Sequence, residues 1–177
     1  MIEEISFAVY CGRVQAVIEN SYGIRVVTRD IPDPLTGDLD GAEIHIDYAV
    51  TPEQRLFLLA HLFGHTVQWN AKPETFALGQ LHQPPVEEAL MGAILNYERE
   101  AASYALGMLH QVGIVEIDQW LSDYTQCDMA YLQHYYRTGE TKEFTSFWRD
   151  HAALVEPRPI PEFVPTRRVM RGDGLVI

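Results

Sequence analysis

The sequence predicts an α+β fold, and three observations carry that prediction. A helical repeat opens the chain, two short β-patterned runs follow, and only helical patterns come after them. The 177 residues are 47% hydrophobic and 21% charged, which suits one domain with a proper core. Prolines then crowd the last stretch, so the expected division is a single domain over 1–155 and an extended proline-rich tail over 156–177.

Each element has its own signal. Ile2, Ile5, Val9, Val14, Val17 and Ile18 recur at helical spacing until "SYG", Ser21 to Gly23, stops the run. "IRVVT" reads as a short strand, and "RDIPDPLTGDLDG" as a turn-rich loop. "AEIHIDYAV" alternates apolar and polar residues as a half-buried strand does, with His45 expected to be a structural histidine held by partners. In "TPEQ", Thr51 is an N-cap, Pro52 occupies the first helical position and Gln54 completes a capping box. The helix it starts runs to about Trp69. A proline-bounded connection, Asn70 to Pro85, leads to a second long helix from Val86 to about Gln111. A third is expected from Ile117 to Tyr136, closed by "RTGE", and a short fourth from Lys142 to Leu154.

The totals exclude several classes. A formal charge of −12 repels phosphate backbones and anionic lipid, so direct nucleic-acid binding is not expected. Arg158, Arg167, Arg168 and Arg171 are the one place where a local basic patch is conceivable. No apolar run approaches the roughly 20 residues of a membrane span, and "MIEEISFAVY" lacks the basic start of a signal peptide. The expected location is cytoplasmic. Cys11 and Cys127 are far apart and outside any ligand-spaced pattern, which predicts buried free thiols.

The chemistry concentrates in "LLAHLFGHTVQW". His61 and His65 stand four apart and share a helix face, an arrangement in which two imidazoles chelate one zinc ion. With seven histidines in the chain such a pair arises by chance roughly one time in four, so the surroundings must decide. Leu56, Leu58, Leu59, Leu62 and Phe63 make the helix apolar nearly all round, and a buried histidine pair needs partners. A third ligand is expected from "NYEREAASYALGML": Glu98 shares its face with Ala101, Ala102 and Ala105, small enough to let a neighbouring helix approach. Glu100 points elsewhere and reads as a solvated charge. Glu74, His82, Glu87 and Glu88 lie in or beside the connection that faces this region; Tyr97 and Tyr104 read as packing residues.

"AEIHIDYAVTPEQRLFLLAHLFGHTVQ" followed by "EREAASYALGML" resembles the ImmA/IrrE family of zinc metallopeptidase-like proteins over roughly Ala42 to Leu109. The resemblance implies a zincin-like fold: a small sheet, a histidine-bearing helix, a glutamate helix packed on it, and extra helices behind. It implies zinc held by His61, His65 and Glu98, and a protein partner such as a helix-turn-helix repressor. Two positions depart from the family. Leu62 stands where the family carries its general-base glutamate, and losing such a base costs about 10² to 10⁴ in rate. Ala102 replaces an asparagine that supports the ligands. Three readings follow: a degenerate, metal-binding regulatory protein; a metallopeptidase with a base recruited from elsewhere; or a structural domain without metal.

Overall fold

The computed structural model describes residues 4–32, 35–80 and 82–168, and the helix that begins at Pro52 is central to them. In chain order the elements are α1 (Glu4–Tyr22), β1 (Arg25–Arg29), β2 (Gly37–Leu39), β3 (Glu43–Asp47), α2 (Pro52–Ala71), α3 (Glu88–Gln111) and α4 (Asp118–Thr138). The strands form one mixed sheet in the order β1-β3-β2, parallel between β1 and β3 and antiparallel between β2 and β3. The fold is therefore α+β, as expected.

The predicted cap of α2 is present in full. Thr51 Oγ1 accepts from the Gln54 amide at 3.2 Å, and Gln54 Oε1 accepts from the Thr51 amide at 2.9 Å, a device worth about 1 kcal/mol. From Leu56 to Trp69 every residue of α2 is buried. Burying each large apolar side chain there contributes about 1.5 to 3 kcal/mol. The helix is enclosed by α1, by the sheet and, most extensively, by α3.

Gly64 and the alanines of α3 explain how close that last approach is. A Cβ on Gly64 would lie 2.1 Å from the Ala101 carbonyl oxygen, so the two helices cross backbone to backbone. Ala101, Ala102 and Ala105 are all buried at this contact, the role their size predicts.

Two expectations need correction. The predicted loop from Arg29 to Gly41 contains β2, a strand too short and too glycine-rich to show a period of two. It forms because the bare backbone of Gly37 sits on Leu58 and Leu62; a Cβ there would be 3.1 and 3.0 Å from their terminal carbons. The predicted helix from Lys142 to Leu154 is only a 3₁₀ turn, Phe144–Phe147. His151 beyond it has φ 64°, in the left-handed region, which stops a helix. Side chains of α4 satisfy the extended backbone instead: Asp123 accepts from the Ala152 amide and Ser122 from the Val155 amide.

The proline-rich tail runs over the domain without helix or strand up to residue 168. Its backbone is held at three points: Arg158 N to Ser103 O at 3.0 Å, Thr166 N to Asn70 Oδ1 at 2.9 Å, and Arg168 N to Asp40 O at 2.7 Å. Gly107 and Gly41 make room for it, since a Cβ on either would collide with the carbonyls of Arg158 and Thr166. The conceivable basic patch does not form among the described arginines. Arg158 pairs with Glu100, Arg167 with Asp40 and Glu43, and Arg168 donates to the Trp69 carbonyl. Arg171 lies outside the described residues. Cys11 and Cys127 are free and buried. No helix among the described residues is long and apolar enough to cross a membrane.

Candidate metal centre

Helices α2 and α3 bring the three expected ligands together. His65 Nε2 lies 3.0 Å from Glu98 Oε2 and 3.1 Å from His61 Nε2, and His61 Nε2 lies 3.6 Å from the same carboxylate oxygen. All three side chains are buried. His61, His65 and Glu98 form the one group of three or more potential ligands found this close together among the described residues. A tetrahedral ion with bonds of about 2.0 to 2.1 Å keeps its donors roughly 3.3 Å apart, so the observed spacing fits such an ion.

Hydrogen bonding fixes which nitrogen of His65 faces the group. Gln68 donates its amide Nε2 to the Tyr97 carbonyl at 2.9 Å and to Glu100 Oε2 at 3.0 Å. Its Oε1 is thereby turned toward His65 Nδ1, 2.9 Å away. Nδ1 must carry the hydrogen, and in the neutral ring Nε2 then holds a lone pair. That lone pair points at a carboxylate oxygen and a second imidazole. Acceptors converging this closely need a cation or a proton among them.

The three side chains are shut off from bulk solvent. Burial drives the His61 imidazole down from its ordinary 6.5 to about 3, with His65 adding to the effect and Glu98 opposing it. Burial works to raise the Glu98 carboxyl, but His65 and then His61 hold it below its ordinary 4.5. A neutral His61 imidazole and an ionised Glu98 carboxylate are the forms in which a metal takes such ligands. Phe57 stacks on His61 with ring centres 5.1 Å apart, and Tyr97 on His65 at 4.5 Å. Trp69 donates to the Tyr97 hydroxyl at 2.7 Å, so Tyr97 is a packing residue, as expected. Burial, then Glu98, keep its phenol well above 10. Tyr104 packs under the Arg158 guanidinium.

Leu62 turns away from all this. It is fully buried beneath Gly37, on the sheet side of α2. Glu74, His82, Glu87 and Glu88, in or beside the connection between α2 and α3, do not line the cavity beside the three ligands. The connection from α2 to α3 does fold over that cavity through Leu78, Gly79 and Gln80, leaving about 30 Å³. This is space for one or two waters and not for a peptide. His45 keeps its structural role on β3, 3.2 Å from Glu43 and 3.7 Å from Asp38.

Two participants escaped the sequence reading. Glu100 is not a solvated charge: its side chain is 18% exposed, takes Lys72 and Arg158 as cations, and anchors Gln68. The signal was present in Gln68, three residues after His65 on the same face. Asp128 on α4 is buried and lines the cavity opposite the ligands. Its signal was a carboxylate on an apolar face, four residues after Tyr124 and three before Tyr131.

The chain matches no protein-family model, and no curated protein and no solved structure matches it.

Proposed function

We propose that the chain is a degenerate protein of the ImmA/IrrE type with a zincin-like domain, and that it binds a divalent cation and regulates by contact rather than by cleavage. His61, His65 and Glu98 hold the cation. Two imidazoles and one carboxylate favour zinc among the common ions. The observation that carries the reading is the hydrogen-bonded chain from Glu100 through Gln68 to His65, which turns His65 Nε2 toward the buried Glu98 carboxylate and His61. The same orientation places two further donor atoms, His61 Nε2 and Glu98 Oε2, within 3.6 Å of it.

Bound zinc would polarise a coordinated solvent molecule and draw its pKa toward neutrality. Hydrolysis of a peptide demands more: a proton carrier and room for the chain. Leu62 cannot titrate, and the cavity admits only water-sized groups. These two facts favour a binding role over peptidase activity. The resemblance to the family suggests a helix-turn-helix repressor as the partner. The net charge of −12 agrees with a protein partner better than with DNA itself.

Elemental analysis of protein purified without a histidine tag tests the metal. About one equivalent of zinc per chain, lost in His61→Ala and Glu98→Ala, is expected, together with no chelator-sensitive cleavage of peptides. Metal-dependent cleavage abolished by Glu98→Ala would establish the peptidase reading instead. Absence of stoichiometric metal would leave a structural domain.

A further inference from the structure

Asp128 is the buried acid that the three-ligand centre leaves without a task. It is 2% exposed, and its Oδ1 has no hydrogen-bond partner among the described residues. An unpaired buried polar atom costs about 1 to 3 kcal/mol, and native structures hold few of them. Burial, then the charge on Glu98, push its carboxyl well above the ordinary carboxylate range. Replacement by an apolar residue would relieve both penalties, so an acid at this position calls for a ligand.

Position supplies one. Asp128 lines the 30 Å³ cavity together with His61, His65 and Glu98. It also lines a cleft of about 580 Å³ walled by Phe57, Tyr124, Phe144 and Trp148. No other described residue lines both spaces. The stacked rings of Tyr124 and Phe57, 3.9 Å between centres, continue onto His61 and complete the partition. Asp128 does not join the group whose donor atoms all lie within 4.8 Å of one another. It shares with that group the wall of a cavity large enough for water.

We propose that Asp128 is a positioning residue of the metal centre, holding by hydrogen bond the solvent molecule that completes the coordination of a cation at His61, His65 and Glu98. This inference depends on the metal-binding reading above. It explains why a buried acid persists on that helix. It also gives the solvent ligand a neighbour reachable from the larger cleft, the direction from which a small polar ligand would arrive.

The test uses the full chain without a tag, stripped by chelator and titrated with cobalt(II) and zinc(II), beside Asp128→Asn, Asp128→Ser and His61→Ala. Wild type and both Asp128 variants should take up one equivalent, and His61→Ala none. The Asp128 variants should bind 10- to 100-fold more weakly. Their visible cobalt bands should also shift from those of wild type, a change that loss of mere packing would not produce. Melting curves without metal show which variant is folded; Asn keeps the volume and Ser opens space, and either one decides the matter. Cobalt-loaded wild type in isotopically labelled water should show a coupled solvent ligand by electron–nuclear double resonance. Unchanged affinity with an unchanged cobalt spectrum, or no solvent ligand in wild type, overturns the role of Asp128 while the metal reading stands. No uptake by wild type overturns both.

Discussion

On one side of α2, His61, His65 and Gln68 turn toward α3 and meet Glu98 and Glu100. On the other, Leu58 and Leu62 press beneath the bare backbone of Gly37. The two sides lie within one turn of each other and are equally shut off from solvent. Yet one is a converging set of acceptors whose orientation is fixed by hydrogen bonds, and the other is close-packed hydrocarbon. Burial alone therefore does not mark the site; the direction of each side chain around α2 does.

The harshest way to break this contrast is Leu62→Glu. The variant places a carboxyl without partners under β2, and a loss of at least about 3 kcal/mol is expected. Chemical denaturation should show it as a large drop in midpoint or as failure to fold. Peptidase activity should not appear.

Acid probes the polar side. His61 has a native value near 3 against an ordinary 6.5, so between those limits the unfolded chain binds a proton that the native chain does not. Stability of the metal-free protein should thus be complete above about pH 6.5 and fall as the pH drops toward 3, by on the order of a few kcal/mol. Glu98, lowered from 4.5, adds a loss of the same sign below that value. His61→Asn should flatten the slope of melting temperature against pH between 6.5 and 3; an unchanged slope would mean that His61 is not the group responsible.

Gly64→Ala should force the helices apart, because its new carbon would lie 2.1 Å from the Ala101 carbonyl. A cost of about 1 to 3 kcal/mol is expected, with weaker metal uptake as Glu98 recedes from His65. Gln68→Leu removes the acceptor at His65 Nδ1 together with the bonds to the Tyr97 carbonyl and Glu100. It frees the His65 ring to turn, and metal affinity should fall about 10- to 100-fold by calorimetry while the helical circular dichroism stays the same. Smallest is Arg158→Ala in the tail, half exposed in its pair with Glu100. Its effect on melting should stay under about 1 kcal/mol, with metal affinity untouched.

Much of this was legible in the residues. The capping box fixed the start of α2, the i, i+4 histidines their shared face, and the alanines beside Glu98 the helix that packs there. What was hidden depends on contacts remote in sequence. Three residues of β2 form a strand only because α2 lies under Gly37, and the segment after α4 is unwound by bonds to Ser122 and Asp123. Glu100 looks like any surface acid until the tail and Lys72 fold over it. Asp128 carries no local signal of its place, because nothing nearby in sequence says that α4 shares a cavity wall with His61.

The central claim is that His61, His65 and Glu98 are arranged for a cation. Calorimetric titration of zinc into chelator-stripped, tag-free protein tests it most directly. The account predicts one site per chain, a higher melting temperature in the presence of zinc, and the loss of both in His61→Ala. Wild-type protein that neither takes up zinc nor melts higher in its presence would contradict it.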